Sequence, residues 1–492
     1  MTETEATHWI GGAWCRSFNG DTAESFDPST GQAIGRFSAG GSHEAKQAIE
    51  AARDAFERSI WPQSPRLRQD ILLKWADRLS AKVEELAGFL VLENGKAIGQ
   101  ARGELAGCIS EIRYYAGLAR YMPGHVHEVE PGVFSTVLRE PAGVAALIIP
   151  WNAPAVLLIR SLAPALAAGC TVVIKPAAQT TLFTARFIAE LAAIPGLPSG
   201  TVNLVSETGY EIGALMAESP NVDVVSFTGS TEIGRKIMMA AAGNMKKLSL
   251  ELGGKSCCIV FPDADIQKVA PILATAATII SGQQCTAARR VLVHTSRFEE
   301  MKVALAAALS ALRVGPGLAE ATDMGPLIDS KARDQVEREI NRAFDSADEV
   351  ILRGRRPNGP LAAGAFLTPS LVAHNNSDAW FCQDEIFGPF VVIEPFESEE
   401  EAVAKANNSI FGLSGSVWTH DGARALRVAR AMRSGTIWIN DHNKLFAEAE
   451  MGGYRQSGMG RLHGFDALAD FTEQKHVFQS VGTVLPTSVA KN

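Results

Sequence analysis

Seven cysteines in 492 residues, odd in number and irregularly spaced, do not make a disulfide framework. They point to free thiols in a reducing compartment, with the cytoplasm as the expected location. Basic runs are missing too: 46 Lys and Arg stand against 54 Asp and Glu, a net charge of −8, which argues against nucleic acid as a partner. The first residues, Met1 to His8, lack the basic flank and apolar core of a signal peptide. One stretch, residues 141–159, runs uncharged for 19 residues and is long enough to span a bilayer. Pro141, Pro150 and Pro154, with Trp151 and Asn152 between, break its backbone where lipid demands satisfied hydrogen bonds. It reads as a buried strand, a tight turn and a helix start, so no membrane partner is expected. There is no repeat of 20–50 residues and no low-complexity tract.

What is present is an ordinary globular composition, 46% hydrophobic and 20% charged, on a chain too long for one core. Residues 1–40 carry strand-and-turn signals, among them Asn19-Gly20 and Asp27-Pro28. Over 42–99 the apolar spacing turns helical, with Ser42 as the expected helix entry. Another helix is expected over 105–121, then an alternating hairpin over 125–140 that reaches outside the first domain. From Val144 strand-like runs (144–149, 171–175, 201–205, 222–228, 247–250) alternate with helical ones (154–168, 181–193, 210–218, 232–242). This order implies α/β architecture with a doubly wound parallel sheet. A second α/β unit follows, and the tail from Phe471 to Val484 is strand-like, expected to pair with 125–140 across a subunit interface. The expected units are 1–120 with 142–253, then 254–458, and a small β arm of 121–141 with 459–492.

Ligands of such sheets sit beyond the carboxyl ends of the strands. Asn152, Lys175, Gly229 and Glu251 all fall just after an expected strand. Cys285, in Gly282-Gln-Gln-Cys285, lies on a loop between a helix-like and a strand-like run, with no second cysteine in metal-ligand or redox spacing. That suits a lone nucleophile, although most cysteines are small buried hydrophobes. No metal site is expected. Phe227-Thr-Gly-Ser-Thr-Glu-Ile-Gly234 sets two glycines at a strand-to-helix turn, fit for a phosphate or simply for a tight turn. Glu251, flanked by leucines, suits a general base whose pKa is raised by desolvation, or a surface glutamate. Glu385 and Phe387 lie on a Gly/Pro-bounded loop, where a carboxylate can accept hydroxyl protons and an aromatic can face a planar ring.

Taken in order, Pro150-Trp-Asn152, Lys175-Pro176, the 227–234 turn, Leu250-Glu-Leu-Gly-Gly-Lys255, Gly282-Gln-Gln-Cys285, Glu385-Ile-Phe-Gly-Pro389 and Gly452-Gly-Tyr-Arg-Gln-Ser-Gly458 resemble the aldehyde dehydrogenase superfamily over nearly the whole chain. The resemblance implies an NAD(P)-dependent oxidation of an aldehyde to the acid: the Cys285 thiolate attacks the carbonyl, Asn152 and the Cys285 amide hold the oxyanion, and Glu251 activates water against the thioester. It makes 1–120 with 142–253 the nucleotide domain, 254–458 the catalytic domain and the remainder an arm for a homodimer or homotetramer. Cofactor contacts implied are Ile149, Pro150, Trp151, Lys175, Ala178, Gly209, Phe227, Gly229, Ser230, Leu252, Gly253, Glu385 and Phe387. Of these, Lys175 and Glu385 meet the riboses, Phe387 the nicotinamide, and Gly229 and Ser230 the pyrophosphate.

Two positions depart from the usual pattern. Ala178 replaces a ribose-binding glutamate, which removes a charge that would repel a 2′-phosphate and tilts the expectation to NADP over NAD. Leu462 replaces a glutamate, so no proton relay is expected there. The substrate tunnel is expected from Ala153, Leu157, Arg160, Gln284, Thr286, Leu445 and Met451. Arg160 favours a semialdehyde carboxylate, whereas Glu448 and Glu450 favour a cationic amino-aldehyde. The rival readings are a cysteine-dependent esterase and a nucleotide-binding protein without turnover.

Overall fold

The computed structural model describes residues 5–482. Its central feature is a parallel sheet of strands β1 (Val144–Ile148), β2 (Thr171–Lys175), β3 (Val202–Leu204), β4 (Val224–Thr228) and β5 (Lys247–Glu251). They alternate with helices α1 (Pro154–Ala168), α2 (Thr181–Ala192), α3 (Glu211–Glu218) and α4 (Thr231–Ala242). All five residues of β1 are buried, as expected of a central parallel strand covered on both faces. Val144, Ala146 and Ile148 pack with Ala48, Ile49 and Ala52, while Ala145 and Leu147 pack on the other side in the larger core that includes α1. The spatial order is β5-β4-β1-β2-β3, extended at its two ends by the antiparallel strands Gly458–Met459 and His8–Ile10. Strand order therefore reverses between β1 and β4, and that crevice is where such a sheet receives a ligand.

The second unit is a seven-stranded sheet, parallel except at one edge, ordered Glu349–Leu352, Ser370–Ala373, Phe390–Phe396, Arg290–His294, Cys257–Val260, Ser414–Trp418, Thr436–Ile439. Arg290 and Glu394 form an ion pair at its centre, fully buried and 2.6 Å apart.

Stretch 141–159 is the end of one strand, then β1, a turn and the start of α1, and among the described residues no helix is long and apolar enough to cross a membrane. All seven cysteines are free. Two local expectations change. The helix Ser42–Arg58 is capped at Gly41, because Glu44 turns back to accept from the Gly41 amide at 2.8 Å and leaves Ser42 as the first helical residue. The arm's strands pair inside one chain: Val133–Pro141 binds Thr472–Ser480 along nine residue pairs and His125–Glu130 on its other edge. The pairing expected across a subunit interface is thus internal, since the two segments already lie side by side. Residues 483–492, including the last two of the strand-like tail, lie outside the described residues.

Candidate active site

The chain enters the cysteine loop through strained backbone. After the helix Ile266–Thr278, Ile280 and Ser281 take left-handed conformations (φ 48° and 57°). A β-branched residue there is costly and persists only where its surroundings over-determine it. They do so here: Ser281 Oγ donates to the carbonyls of Gly325 at 2.7 Å and Pro326 at 2.9 Å, and the Ile280 amide donates to Gln100 Oε1 at 3.2 Å. Gln283 bridges onward, donating to Ile280 O at 3.0 Å and accepting from the Ile328 amide at 3.0 Å. Gly282 has φ 75°, and a Cβ there would strike the Gly388 carbonyl. Arg289, buried, donates to that carbonyl at 2.6 Å and also to Gly282 O, closing the loop.

Cys285 stands half-buried on this frame, while Cys108, Cys170, Cys257, Cys258 and Cys382 are buried. Burial pushes its thiol up to about 11, Arg160 opposes that rise, and Glu385 and Glu251 add to it. Without further help the sulfur is protonated at neutral pH, and attack requires the thiolate.

Asn152 follows β1 and reaches the same loop, its Nδ2 donating to Gln283 O at 2.9 Å. Its own carbonyl accepts from Lys96 Nζ at 3.0 Å and Asn94 Nδ2 at 3.3 Å. Lys96 pairs in turn with Glu104, which accepts from the Ala155 and Val156 amides at 2.9 and 3.1 Å and so caps α1. One buried network therefore fixes both the amide and the helix behind it.

Glu251 ends β5 at 2% exposure, and neither carboxylate oxygen has a hydrogen-bond partner among the described residues. Burial raises its carboxyl to about 7, against the pull of Arg160, His463 and Arg461. Arg160 Nη1 lies 4.0 Å from Glu251 Oε2, and its Nη2 donates to Thr228 Oγ1 at 3.0 Å. Expected in the substrate tunnel as a carboxylate clamp, Arg160 is 2% exposed and turned to the general-base candidate instead. The sequence held a signal for this: Arg160 is the one charged residue of α1, and a lone charge in a buried apolar helix needs a buried partner. A further buried pair, His463 with Glu111 at 2.8 Å, was missed because only the neighbouring Leu462 was read for a relay.

The residues expected to hold the nucleotide lie at or after the carboxyl ends of β1 to β5 or on the 385–387 loop. Ser230 Oγ caps α4 by accepting from the Ile233 amide at 3.3 Å, and the Gly229 amide donates to Glu251 O at 3.0 Å, so the turn runs into a twelve-residue helix N-terminus. Phe227 and Leu252 are buried, Leu252 against Gly234, where a Cβ would stand 2.6 Å from it. The Ile149 amide donates to Lys175 O at 2.9 Å. Phe387 meets Trp151 edge-on, with ring centroids 5.7 Å apart. Gly253 admits Glu385, whose Oε2 would be 2.6 Å from a Cβ there. Glu385 Oε1 is buried without a hydrogen-bond partner among the described residues, an orphaned acceptor that fits a hydroxyl-bearing group such as a ribose. Pro150 and Ala178 are half-buried, and Gly209 is exposed.

The aldehyde dehydrogenase family model matches residues 14–477. This chain belongs to that family. It is 38% identical to betaine aldehyde dehydrogenase of Bacillus subtilis, with 96% of this chain and 97% of that one covered. It is 37% identical to the NADP/NAD-dependent aldehyde dehydrogenase PuuC of Escherichia coli, over 96% and 95%. A crystal structure of betaine aldehyde dehydrogenase from Staphylococcus aureus in complex with NAD+ superposes with a TM-score of 0.94 at 35% identity, covering 99% of this chain and 97% of that one. The enzyme oxidises an aldehyde to the carboxylic acid with NAD(P) through a cysteine thiohemiacetal and thioester.

The positions expected around the dehydrogenase's substrate are unevenly placed. Ala153 and Leu157 are buried beside Asn152, and the half-buried Gln284 donates to Thr286 Oγ1 at 2.9 Å. Thr286 and Met451 are buried, Met451 in a backbone bridge to Leu462, whereas Leu445 is 39% exposed. His442, also missed, is buried with its Nε2 2.8 Å from Thr286 O and ties the 440s loop to the Cys285 loop.

Proposed function

We propose that Cys285 is the nucleophile, Asn152 and the Cys285 backbone amide the oxyanion donors, and Glu251 the base for thioester hydrolysis. The observation that carries this is the convergence of the ends of β1 and β5 on one strained loop. Asn152 reaches Gln283, two residues from the sulfur, while Arg160, Glu385 and Glu251 all act on the thiol electrostatically. Asn152 is held before any substrate arrives, as a donor must be to stabilise charge without reorganising. A carboxyl near 7 is half ionised at neutral pH and can take a proton from water. Lys175, Glu385, Phe387, Gly229 and Ser230 would hold the nicotinamide nucleotide, with the remaining crevice residues as its walls. When bound, that nucleotide accepts the hydride of the tetrahedral adduct.

The tilt to NADP drawn from Ala178 counted only the carboxylate missing at that position. Glu207, 3.5 Å from Lys175, supplies another and bears on the same choice. With Arg160 occupied by Glu251, the semialdehyde reading loses its clamp. The exposed Glu448 and Glu450 remain, which favours a neutral or cationic aldehyde. The chain is proposed as a cytoplasmic homodimer or homotetramer assembled through the β arm, whose Val126, Val129 and Phe478 are more than 60% exposed.

An aldehyde panel that includes semialdehydes and amino-aldehydes, run with NAD and NADP in parallel, tests the assignment. Turnover lost in Cys285→Ala with nucleotide binding retained is the expected result. Ester cleavage indifferent to nucleotide would favour a cysteine esterase, and binding without turnover on any aldehyde a non-catalytic nucleotide-binding protein.

A further inference from the structure

Lys175 ends β2 with its ammonium 3.5 Å from Glu207 Oε1, and Glu207 is 3% exposed. The carboxylate is fixed at both oxygens: Oε2 accepts from the Ile212 amide at 2.9 Å and Oε1 from the Gly213 amide at 3.2 Å, at the first turn of α3. Glu207 is therefore anchored by backbone donors whose positions the fold sets, and it cannot swing away from Lys175 without losing both. Two glycines crowd around it, Cβ positions at Gly213 and Gly209 standing 3.9 and 4.0 Å from its oxygens. Lys175 Cδ is 3.6 Å from the Gly213 position, so the lysine stem and the carboxylate share one wall. Ala178, half-buried on the short helix Ala178–Thr180, adds no charge.

A site that prefers a 2′-phosphate must present net positive charge to it, and like charges placed together penalise the wrong ligand strongly. Here the lysine expected to meet a ribose is already paired with a fixed carboxylate. A ribose diol suits this pair well, since the ammonium keeps donors for the hydroxyls while Glu207 holds it in place.

We propose that Glu207, through its pairing with Lys175, makes this dehydrogenase selective for NAD over NADP and takes over the discrimination that Ala178 has lost. The inference rests on the reading that Lys175 meets the adenosine ribose.

Calorimetric titration of the full-length enzyme with NAD+ and NADP+ tests it without turnover. The wild type binds NADP+ at least about tenfold more weakly than NAD+. Glu207→Gln, which keeps the side-chain shape and one of the two acceptor oxygens facing α3, narrows that ratio by at least about fivefold by tightening NADP+. Ala178→Glu in the Glu207→Gln background widens it again. Equal affinities in the wild type, which need no variant to fold, would overturn the proposal, as would a ratio unchanged in Glu207→Gln. Lys175→Met separates the two levels. If it weakens NAD+ while Glu207→Gln leaves the ratio alone, only the selectivity role of Glu207 fails. If it changes neither affinity, the placement of the ribose at Lys175 fails, and the proposal with it.

Discussion

Arg160→Met is the sharpest perturbation of the chemistry. In the native enzyme its guanidinium lies 4.0 Å from Glu251 Oε2, with both side chains at 3% exposure or less. At an effective dielectric of about 20, two unit charges at that distance attract by about 4 kcal/mol, and one pKa unit is about 1.4 kcal/mol. Loss of the cation therefore raises the Glu251 carboxyl by up to about three units, and by about one if water enters the vacated space. Glu251 starts near 7, and the other groups acting on it (His463, Arg461 and Asp470) remain. Removing a neighbouring positive charge disfavours the carboxylate, so the shift is upward and the acid limb of activity moves to higher pH. At pH 7 hydrolysis falls by about fivefold to five-hundredfold, and it recovers in alkaline buffer. The assay is the pH profile of kcat with an aldehyde whose thioester hydrolysis limits turnover, and Arg160→Lys should restore most of the native profile. A variant whose rate drops by the same factor at every pH, with its acid limb still near 7, would refute the electrostatic role and leave Arg160 as packing.

Asn152→Ala should lower kcat by about a hundred- to a thousandfold with a smaller effect on KM, because it removes a proposed oxyanion donor; a loss confined to KM would contradict that role. Alkylation of Cys285 by iodoacetamide in the nucleotide-free enzyme should accelerate steadily from pH 7 toward about 11, since burial holds the thiol protonated, and a plateau by pH 8 would show the thiolate to be stabilised already. Glu394→Ala should cost about 3–5 kcal/mol in urea unfolding, because it strands the Arg290 charge in the second sheet; a change within 1 kcal/mol would mean that water reaches the site.

The parallel sheet was legible because its strands are covered on both faces, which leaves continuous apolar runs such as Val144–Ile148 separated by helices of matching length. Cys285, Glu251 and Asn152 stood out as candidates by position, since each follows a strand or occupies a loop between ordered elements. The arm was only half legible: alternation marks a segment as a strand but does not say which chain supplies its partner, so Val133–Pro141 and Thr472–Ser480 could be paired without being assigned to the same chain. The left-handed Ile280 and Ser281 left no trace, because neither residue type prefers that conformation and only tertiary contacts impose it.

Arg160 and Glu207 show a different limit. Each was readable as a charge in an unexpected place, one within an apolar helix and the other between a strand and a helix. What each does depends on the neighbour it meets, and those neighbours lie 91 positions away at Glu251 and 32 away at Lys175. Reading Arg160 by its position on α1 sent it to the substrate, and reading Ala178 without Glu207 left out a carboxylate that the loop before α3 sets beside Lys175. A buried charge is held by the partner that compensates its desolvation. Which chemistry it serves therefore follows from the pairing: Arg160 belongs with Glu251, the base proposed to release the acid, and Glu207 with the lysine proposed to choose the nucleotide.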